Sequence, residues 1–379
     1  MLANSDFATS AFAAEYGNAL SGVFDLSLRK GNRDRYEFMG QLGTFSGLEA
    51  MAEGPLNNKK GSFVVSFRNS FVGFADALGI PLGTNATPDY RDLTFNIDFG
   101  NGKAGKFSVF GIGGTSNIDF LGSETDSTDL FANPGENAYA NSSFGVLGLR
   151  HNIITGENTY VRTVISGSTQ GGEFQVYDLD EDGGDGLLKT DVNDQSIRYS
   201  LKSYLNSKLS NRLTVRTGIQ FEATGLTTVV DDRDGRPDRD GDGVRDLDRV
   251  RDFDGSFGLY QAFGQARYRL GEKTTLNAGL HAQYFSLTEA FALEPRLGLR
   301  FKATEKLSLT AGYGLHSQTP ALPVFFYRDL TTGAPDANQN LDYMKANHFV
   351  VGADLAFAPN WRLKTEVYYQ SLFNIPVDN

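Results

Sequence analysis

The chain of 379 residues has no cysteine, and it has a deficit of positive charge, with 35 Lys and Arg against 46 Asp and Glu. Without cysteine there is no disulfide framework, no thiolate metal centre and no cysteine nucleophile. A net charge of −11 argues against nucleic acid as a partner, because phosphate binding needs clustered cations. No run of about 18 apolar residues occurs, so the sequence encodes no transmembrane helix. The motifs G-x-S-x-G, H-E-x-x-H and the P-loop are absent, and no carboxylate pair stands out for acid–base work. The chain is therefore not read as an enzyme, and no catalytic residue is assigned. The start, Met1-Leu2-Ala3-Asn4-Ser5-Asp6, carries neither the basic nor the apolar part of an export signal.

What is present is alternation. Trp361, Leu363 and Val367 interleave with Arg362, Lys364 and Glu366; Leu293, Leu297, Leu299 and Phe301 with Glu294, Arg296 and Arg300; Leu213, Val215, Ile219 and Phe221 with Thr214, Arg216, Gln220 and Glu222. Side chains on a strand point to opposite faces with period 2, so each segment is apolar on one side and polar on the other. The pattern runs from about residue 33 to residue 373 across every candidate domain boundary. Mean hydropathy is below zero, which is compatible with a membrane barrel whose lumen face is polar.

Short, turn-like connections rich in Gly, Asn, Lys or Pro fall at 55–61, 100–106, 152–157, 206–211, 270–273, 302–306 and 358–360. Between them lie long segments at 73–88, 118–140, 171–190, 227–254 and 317–345, and brief breaks at 44–46 and 288–290. These hinges predict about fifteen strands of near ten residues each. Alternating short and long connections are the signature of an antiparallel transmembrane β-barrel with short turns on the periplasmic side and long loops outside. Tyr268, Tyr284, Phe285, Tyr368 and Tyr369 are candidates for interfacial girdles. An odd strand count departs from the even number that closes single-chain bacterial barrels, which predicts an incomplete barrel truncated at its C-terminal end.

Residues 1–32 break the alternation. The stretch Glu15-Tyr16-Gly17-Asn18-Ala19-Leu20-Ser21-Gly22-Val23-Phe24-Asp25-Leu26, followed by Arg29-Lys30-Gly31-Asn32, resembles the end of the plug domain of TonB-dependent outer-membrane receptors. The segments Glu53-Gly54-Pro55-Leu56 and Gly314-Leu315-His316-Ser317-Gln318 resemble that family's barrel, in particular its carboxypeptidase-regulatory-like and SusC-like relatives. The resemblance implies a remnant of an N-terminal plug at 1–32 and a barrel over 33–379 with about 15 of 22 strands. It also implies residence in the Gram-negative outer membrane and import of a scarce nutrient (siderophore, vitamin, glycan or peptide) by TonB-energised plug movement. The partners it implies are outer-membrane lipid, the TonB complex, a small nutrient ligand and a surface lipoprotein. No TonB box is present in this sequence. The alternatives are a passive porin-type barrel or a soluble β-rich binding domain; the first would lack the plug-like stretch, and the second would show two packed sheets with an apolar interior.

Two outer loops carry D-x-D-x-D-G: Asp178, Asp180 and Asp182, then Asp238, Asp240 and Asp242. Alternating carboxylates before a Gly turn can wrap a hard cation, which makes these six the candidates for structural calcium. No other cofactor is expected. Position 12 of an EF-hand loop would be Lys189 or Arg249, so neither is an EF-hand. Segment 231–254 holds ten Asp and six Arg, which equally suits an internally paired loop without an ion. Phe325, Phe326, Tyr327 and Arg328 lie in an unusually apolar outer connection and are candidates for stacking on a ligand, or for packing onto a neighbouring loop. His151, His281, His316 and His348 lie far apart in sequence and are read as lumen or interface residues.

Overall fold

The computed structural model describes the chain apart from residues 4, 9–10, 44–46, 57–58, 71–87, 123–132, 181, 235, 329–337 and 378–379. Strands β1 (Asp6–Ala8) and β2 (Val23–Asp25) pair antiparallel in a small sheet of their own. All other strands form one sheet. In chain order they are β3 (Glu37–Gly43), β4 (Gly47–Leu56), β5 (Gly61–Asn69), β6 (Asp89–Gly102), β7 (Gly105–Leu121), β8 (Glu136–Gly156), β9 (Thr159–Leu179) and β10 (Asp185–Lys208). Then follow β11 (Leu213–Asp232), β12 (Asp248–Arg269), β13 (Thr274–Phe285), β14 (Ala290–Lys302), β15 (Leu307–Gln318), β16 (Met344–Ala358) and β17 (Trp361–Phe373). Each pairs antiparallel with the next, giving a 15-stranded sheet with β3 and β17 as its two edges. One turn of helix, α1 (Leu322–Phe325), interrupts the connection between β15 and β16.

The register explains why alternation specifies this sheet. Between β13 and β14, Leu276 faces Leu299, Ala278 faces Leu297 and Ala282 faces Leu293, while on the opposite face Thr275 meets Arg300, Gly279 meets Arg296 and His281 meets Glu294. A slip of one residue would put every charge on the apolar side. The apolar face is the exposed one: Leu297 is 52% and Val367 66% exposed, against 0% for Glu294 and His316. This inversion places Leu213, Val215, Leu299, Leu309 and Val367 on the outer wall and Arg216, Arg300, Lys364 and Glu366 on the inner one, and it leaves no room for a two-sheet sandwich. No helix among the described residues is long and apolar enough to cross a membrane.

Each of the seven predicted short connections marks a junction between consecutive strands, with some of its residues belonging to the strand ends. At the turn joining β6 to β7, Gly100 has φ +81°, and a Cβ there would lie 2.2 Å from the Lys60 carbonyl oxygen, so only glycine fits. The break at 44–46, most of 73–88, Asn57 and Asn58, and parts of 118–140 and 317–345 lie outside the described residues.

Two expectations are corrected. Strands β8 to β12 run 20 to 24 residues rather than near ten, and the expected loop at 171–190 is mostly strand. A tilted strand crosses a bilayer core in about 9–11 residues, about half the length of these strands. In the outer half of β8 to β10, Asn141, Glu173 and Asn193 on one face alternate with Ser142, Gly172 and Asp194 on the other, so no apolar contrast separates strand from loop there. The girdle expectation fails at Phe285 and Tyr368. Neighbours on a strand face opposite ways, so Tyr284 and Tyr369 point out, whereas Phe285 is 3% exposed on the inner face and Tyr368 shares the face of Glu366.

Candidate functional site

Residues 11–20 lie inside the curve of the sheet, against β10 to β16, and hydrogen bonds to their backbone hold them there. Arg296 Nη1 donates to the carbonyl oxygens of Ala13 (2.5 Å), Tyr16 (2.6 Å) and Phe12 (3.3 Å), and its other terminal nitrogen pairs with Glu294. Glu294 also accepts from Ser317 and from Gln283 Nε2 (2.8 Å). His281 Nδ1 lies 2.8 Å from the Ala14 carbonyl oxygen and therefore donates to it, and the Ala11 N–H donates to His348 Nδ1 at 3.3 Å. The Phe12 ring sits 4.0 Å from the His316 ring and 4.9 Å from the Arg296 guanidinium, centroid to centre. Arg216 donates to Glu15 at 2.5 Å, and Thr319 N–H to Asn18 Oδ1 at 2.8 Å. Small residues make the approach possible: a Cβ on Gly17 would lie 2.1 Å from His281 Nε2.

Further down, Asp98 is 1% exposed and gathers three cations, Lys106 at 2.9 Å, Arg33 at 3.2 Å and Lys30 at 3.7 Å, with the Gly100 N–H donating at 2.9 Å. Arg29 forks onto Glu53 through two bonds of 2.8 Å, the bidentate geometry that makes such pairs strong. Residues 29–33 are thus pinned to the wall near the short turns.

Levels along β10 place two cavities on either side of the docked segment. Above it, at Asp194 to Arg198, lies a lumen-facing cavity of about 750 Å³, whose lining includes Phe144, Phe174, Gln170, Arg198, Arg251 and Phe326. At the level of Lys202, that side chain reaches the Glu15 carbonyl oxygen (3.5 Å) and lies over the Tyr16 ring. Below, at Asn206, is a second cavity of about 440 Å³ beneath residues 11–14. The upper cavity offers aromatic faces and two guanidinium groups. Phe144 is 45% exposed; Arg198 lies 3.6 Å from Glu222, and Arg251 3.7 Å from Asp194.

The predicted ligand residues divide. Phe325 and Phe326 are fully buried among Leu226, Leu259, Phe285, Ala292 and Tyr343, and Phe326 stacks on Phe253 at 3.8 Å. Their rings pack the outer connection down onto the inner wall, and Phe326 also forms part of the upper cavity's lining. Tyr327 is 45% exposed, and Arg328 lies 3.9 Å from Asp252 at the rim. Burial without a hydrogen-bond partner among the described residues pushes the Tyr343 hydroxyl pKa up.

The two acidic loops also divide. One carboxylate oxygen from each of Asp238, Asp240 and Asp242 falls within 4.8 Å of the others, close enough for three exposed carboxylates to share one hard cation. Asp238 accepts from the Gly241 and Gly243 N–H groups at 2.7 and 2.9 Å, which holds its carboxyl below the usual carboxylate range. In the first loop Asp178, Asp180 and Asp182 are not brought together: Asp178 belongs to β9, and Asp180 is turned onto the N–H groups of Asp182 and Gly184. Of the histidines, His281, His316 and His348 converge on the docked segment, while His151 stacks on Phe107 at 4.3 Å near a short turn. The convergence was missed in sequence because the three lie on separate hairpins. Counting residues from each short hinge would have placed them at neighbouring levels.

A family model described as TonB dependent receptor-like, beta-barrel matches residues 66–379. No curated protein matches the chain. Among solved structures, the ferric-catecholate import receptor Fiu from E. coli is similar with a TM-score of 0.70 at 11% identity, covering 96% of this chain and 62% of that one. A variant of the ferric enterobactin receptor PfeA from Pseudomonas aeruginosa gives 0.64 at 13% identity, covering 98% and 58%. The siderophore receptor PirA from Acinetobacter baumannii gives 0.64 at 12%, covering 97% and 57%. The chain thus spans about three-fifths of the length of these receptors.

Proposed function

The chain belongs to the TonB-dependent receptor-like β-barrel family, and on that premise we propose that it is part of an outer-membrane receptor that captures a scarce nutrient and imports it with energy delivered through TonB. Residues 1–32 are the end of the plug, and residues 33–379 contribute the barrel wall. The ligand is a metal chelate of the siderophore class, held in the upper cavity. What carries this reading is the placement of that cavity, with Phe144, Phe174, Arg198 and Arg251 on its wall, directly above a segment gripped across the lumen. Flat rings suit the aromatic parts of such a chelate and guanidinium groups suit its negative charge. The similarity to Fiu, PfeA and PirA, described as receptors for ferric catecholate, ferric enterobactin and a siderophore, supports this ligand class. A passive pore is disfavoured by the buried polar grip on residues 11–16. The three-carboxylate seat at Asp238, Asp240 and Asp242 is assigned to calcium as a stiffener of the outer loop.

The test is accumulation of radioactive iron from a ferric catecholate by cells producing the protein, in strains with and without TonB. Uptake that requires TonB and falls at least tenfold in Phe174→Ala and Arg198→Ala supports the reading. TonB-independent uptake, or no binding of the ferric catecholate, overturns it.

A further inference from the structure

Below the row that holds Glu294, the register sets out three further rows on the inner wall. The first runs Asn206, Arg216, Gln265, Gly279, Arg296 across β10 to β14, and the second Lys208, Thr214, Arg267, Asn277, Gly298. The third, across β12 to β14, is Arg269, Thr275, Arg300. Together they carry six cations and no carboxylate, in a chain whose net charge is −11. Three of the six take a carboxylate from elsewhere: Arg216 has Glu15, Arg296 has Glu294, and Arg300 lies 3.8 Å from Asp354. Lys208, Arg267 and Arg269 have no ion pair among the described residues. The first two rows wall the lower cavity of about 440 Å³ beneath residues 11–14, and no carboxylate among the described residues lines it. Arg267 is exposed on that wall, and Asn206, Gln265, Asn277 and Thr214 surround it with neutral hydrogen-bonding groups. Arg296 is 4% exposed and also lines the cavity, and its Nε has no hydrogen-bond partner among the described residues. A buried donor without an acceptor is costly, and an oxyanion seated beside it supplies the acceptor.

We propose that the lower cavity is a second ligand site, on the exit side of the docked segment, for a small anion bearing two or three carboxylates. Charge sets the class. The surplus is three cations, which a trianion balances and a neutral ligand leaves repelling one another. Guanidinium groups fork onto planar carboxylates, and the amides and the hydroxyl satisfy the remaining oxygens. The lining has a single ring among the described residues, Phe12, which already packs against Arg296 and His316. This site therefore reads charge, whereas the upper cavity also offers aromatic surface. Lys208 flanks Arg267 in its row and Arg269 lies one step nearer the short turns, so the attraction extends towards the periplasmic mouth. Residues 11–14 form the roof, and their withdrawal joins this cavity to the lumen above. The inference rests on the import reading only for the order of events: an anionic ligand leaving the upper cavity meets this site next.

The test is calorimetric titration of the protein, purified in uncharged detergent, with tricarballylate, a tricarboxylate that is a trianion at neutral pH. The wild type binds one molecule per chain, and more weakly as salt rises. Arg267→Gln weakens binding about tenfold, the loss of one charge-assisted fork, and Arg267→Lys restores part of it. Gly298→Leu fills the cavity, since a Cβ there meets nothing nearer than Asn277 at 3.8 Å. It abolishes binding, with heat-modifiable gel mobility unchanged. Arg198→Ala, which alters the upper cavity, does not change the affinity for tricarballylate. Absence of binding by the wild type overturns the proposal. So does equal binding by the wild type, Arg267→Gln and Gly298→Leu, or loss of binding in Arg198→Ala. The import reading fails separately: tricarballylate binding without TonB-dependent uptake overturns that reading alone, and TonB-dependent uptake without tricarballylate binding overturns this site alone.

Discussion

Arg296→Met tests the grip on residues 11–20. The guanidinium is 4% exposed and serves Glu294 together with the carbonyl oxygens of Phe12, Ala13 and Tyr16. Methionine fills much of the same volume but leaves the Glu294 carboxylate buried without its cation. Breaking a buried pair from one side costs about 3–5 kcal/mol, and each orphaned carbonyl adds about 1 kcal/mol. The sheet does not depend on this pair, since every strand keeps its ladder, so the loss falls on docking of the segment. Hydrogen exchange of the amides at 11–20, followed by mass spectrometry in detergent, should accelerate by a factor of roughly 150 for the lower bound of 3 kcal/mol. Exchange in β13 to β15 should stay within about threefold. The double variant Glu294→Gln with Arg296→Met removes the stranded charge and should exchange more slowly than Arg296→Met alone. Unchanged protection at 11–20 in Arg296→Met would refute the reasoning, as would a double variant worse than the single.

Gly17→Val should displace the same segment sterically, since His281 sits on an inner wall with no space to retreat; cysteines placed at Ala14 and Gly279 should then cross-link less than in the parent. Asp98→Asn removes the charge on which Lys30, Arg33 and Lys106 converge, and trypsin should cut at Lys30 and Arg33 several-fold faster. In the outer loop, Asp238 is held low by the N–H groups of Gly243 and Gly241, and Asp248 by Arg239. Depressed carboxylates contribute order that is fully present above their ordinary value of 3.8 and lost as pH falls through the lowered one. A spin label at Val244 should therefore keep a broad spectrum from pH 7 to about 4 and narrow below it; narrowing already at pH 5–6 would contradict this.

The sheet was legible because hinges and alternation are local: Leu297 and Arg296 declare their faces from position alone, and Gly100 declares its turn. The height of β8 to β10 was not legible, because in their outer halves Asn141, Glu173 and Asn193 on one face alternate with Ser142, Gly172 and Asp194 on the other, and polar against polar carries no contrast. Facing was misassigned at Phe285 and Tyr368 when aromatic character was given more weight than parity. The convergence of His281, Arg296, His316 and His348 is a property of register, which the sequence carries only as residue counts between hinges. The acidic loops are alike in composition, and what separates them is where the strand ends: β9 takes Asp178 into its ladder, whereas Asp238 lies free of β11 and β12.

The hold on residues 11–16 falls largely on peptide oxygens. The hydrogen bonds of Arg296 and His281 to this segment go to carbonyl oxygens alone and require that the chain be thin enough for these to come within reach, which Ala13, Ala14 and Gly17 ensure, while Phe12 and Glu15 add side-chain contacts to Arg296 and Arg216. The part of that grip made to carbonyl oxygens is blind to sequence. It can be released and remade against a neighbouring peptide group without searching for a specific partner, so chain moving past this point would meet a series of equivalent stations rather than one lock.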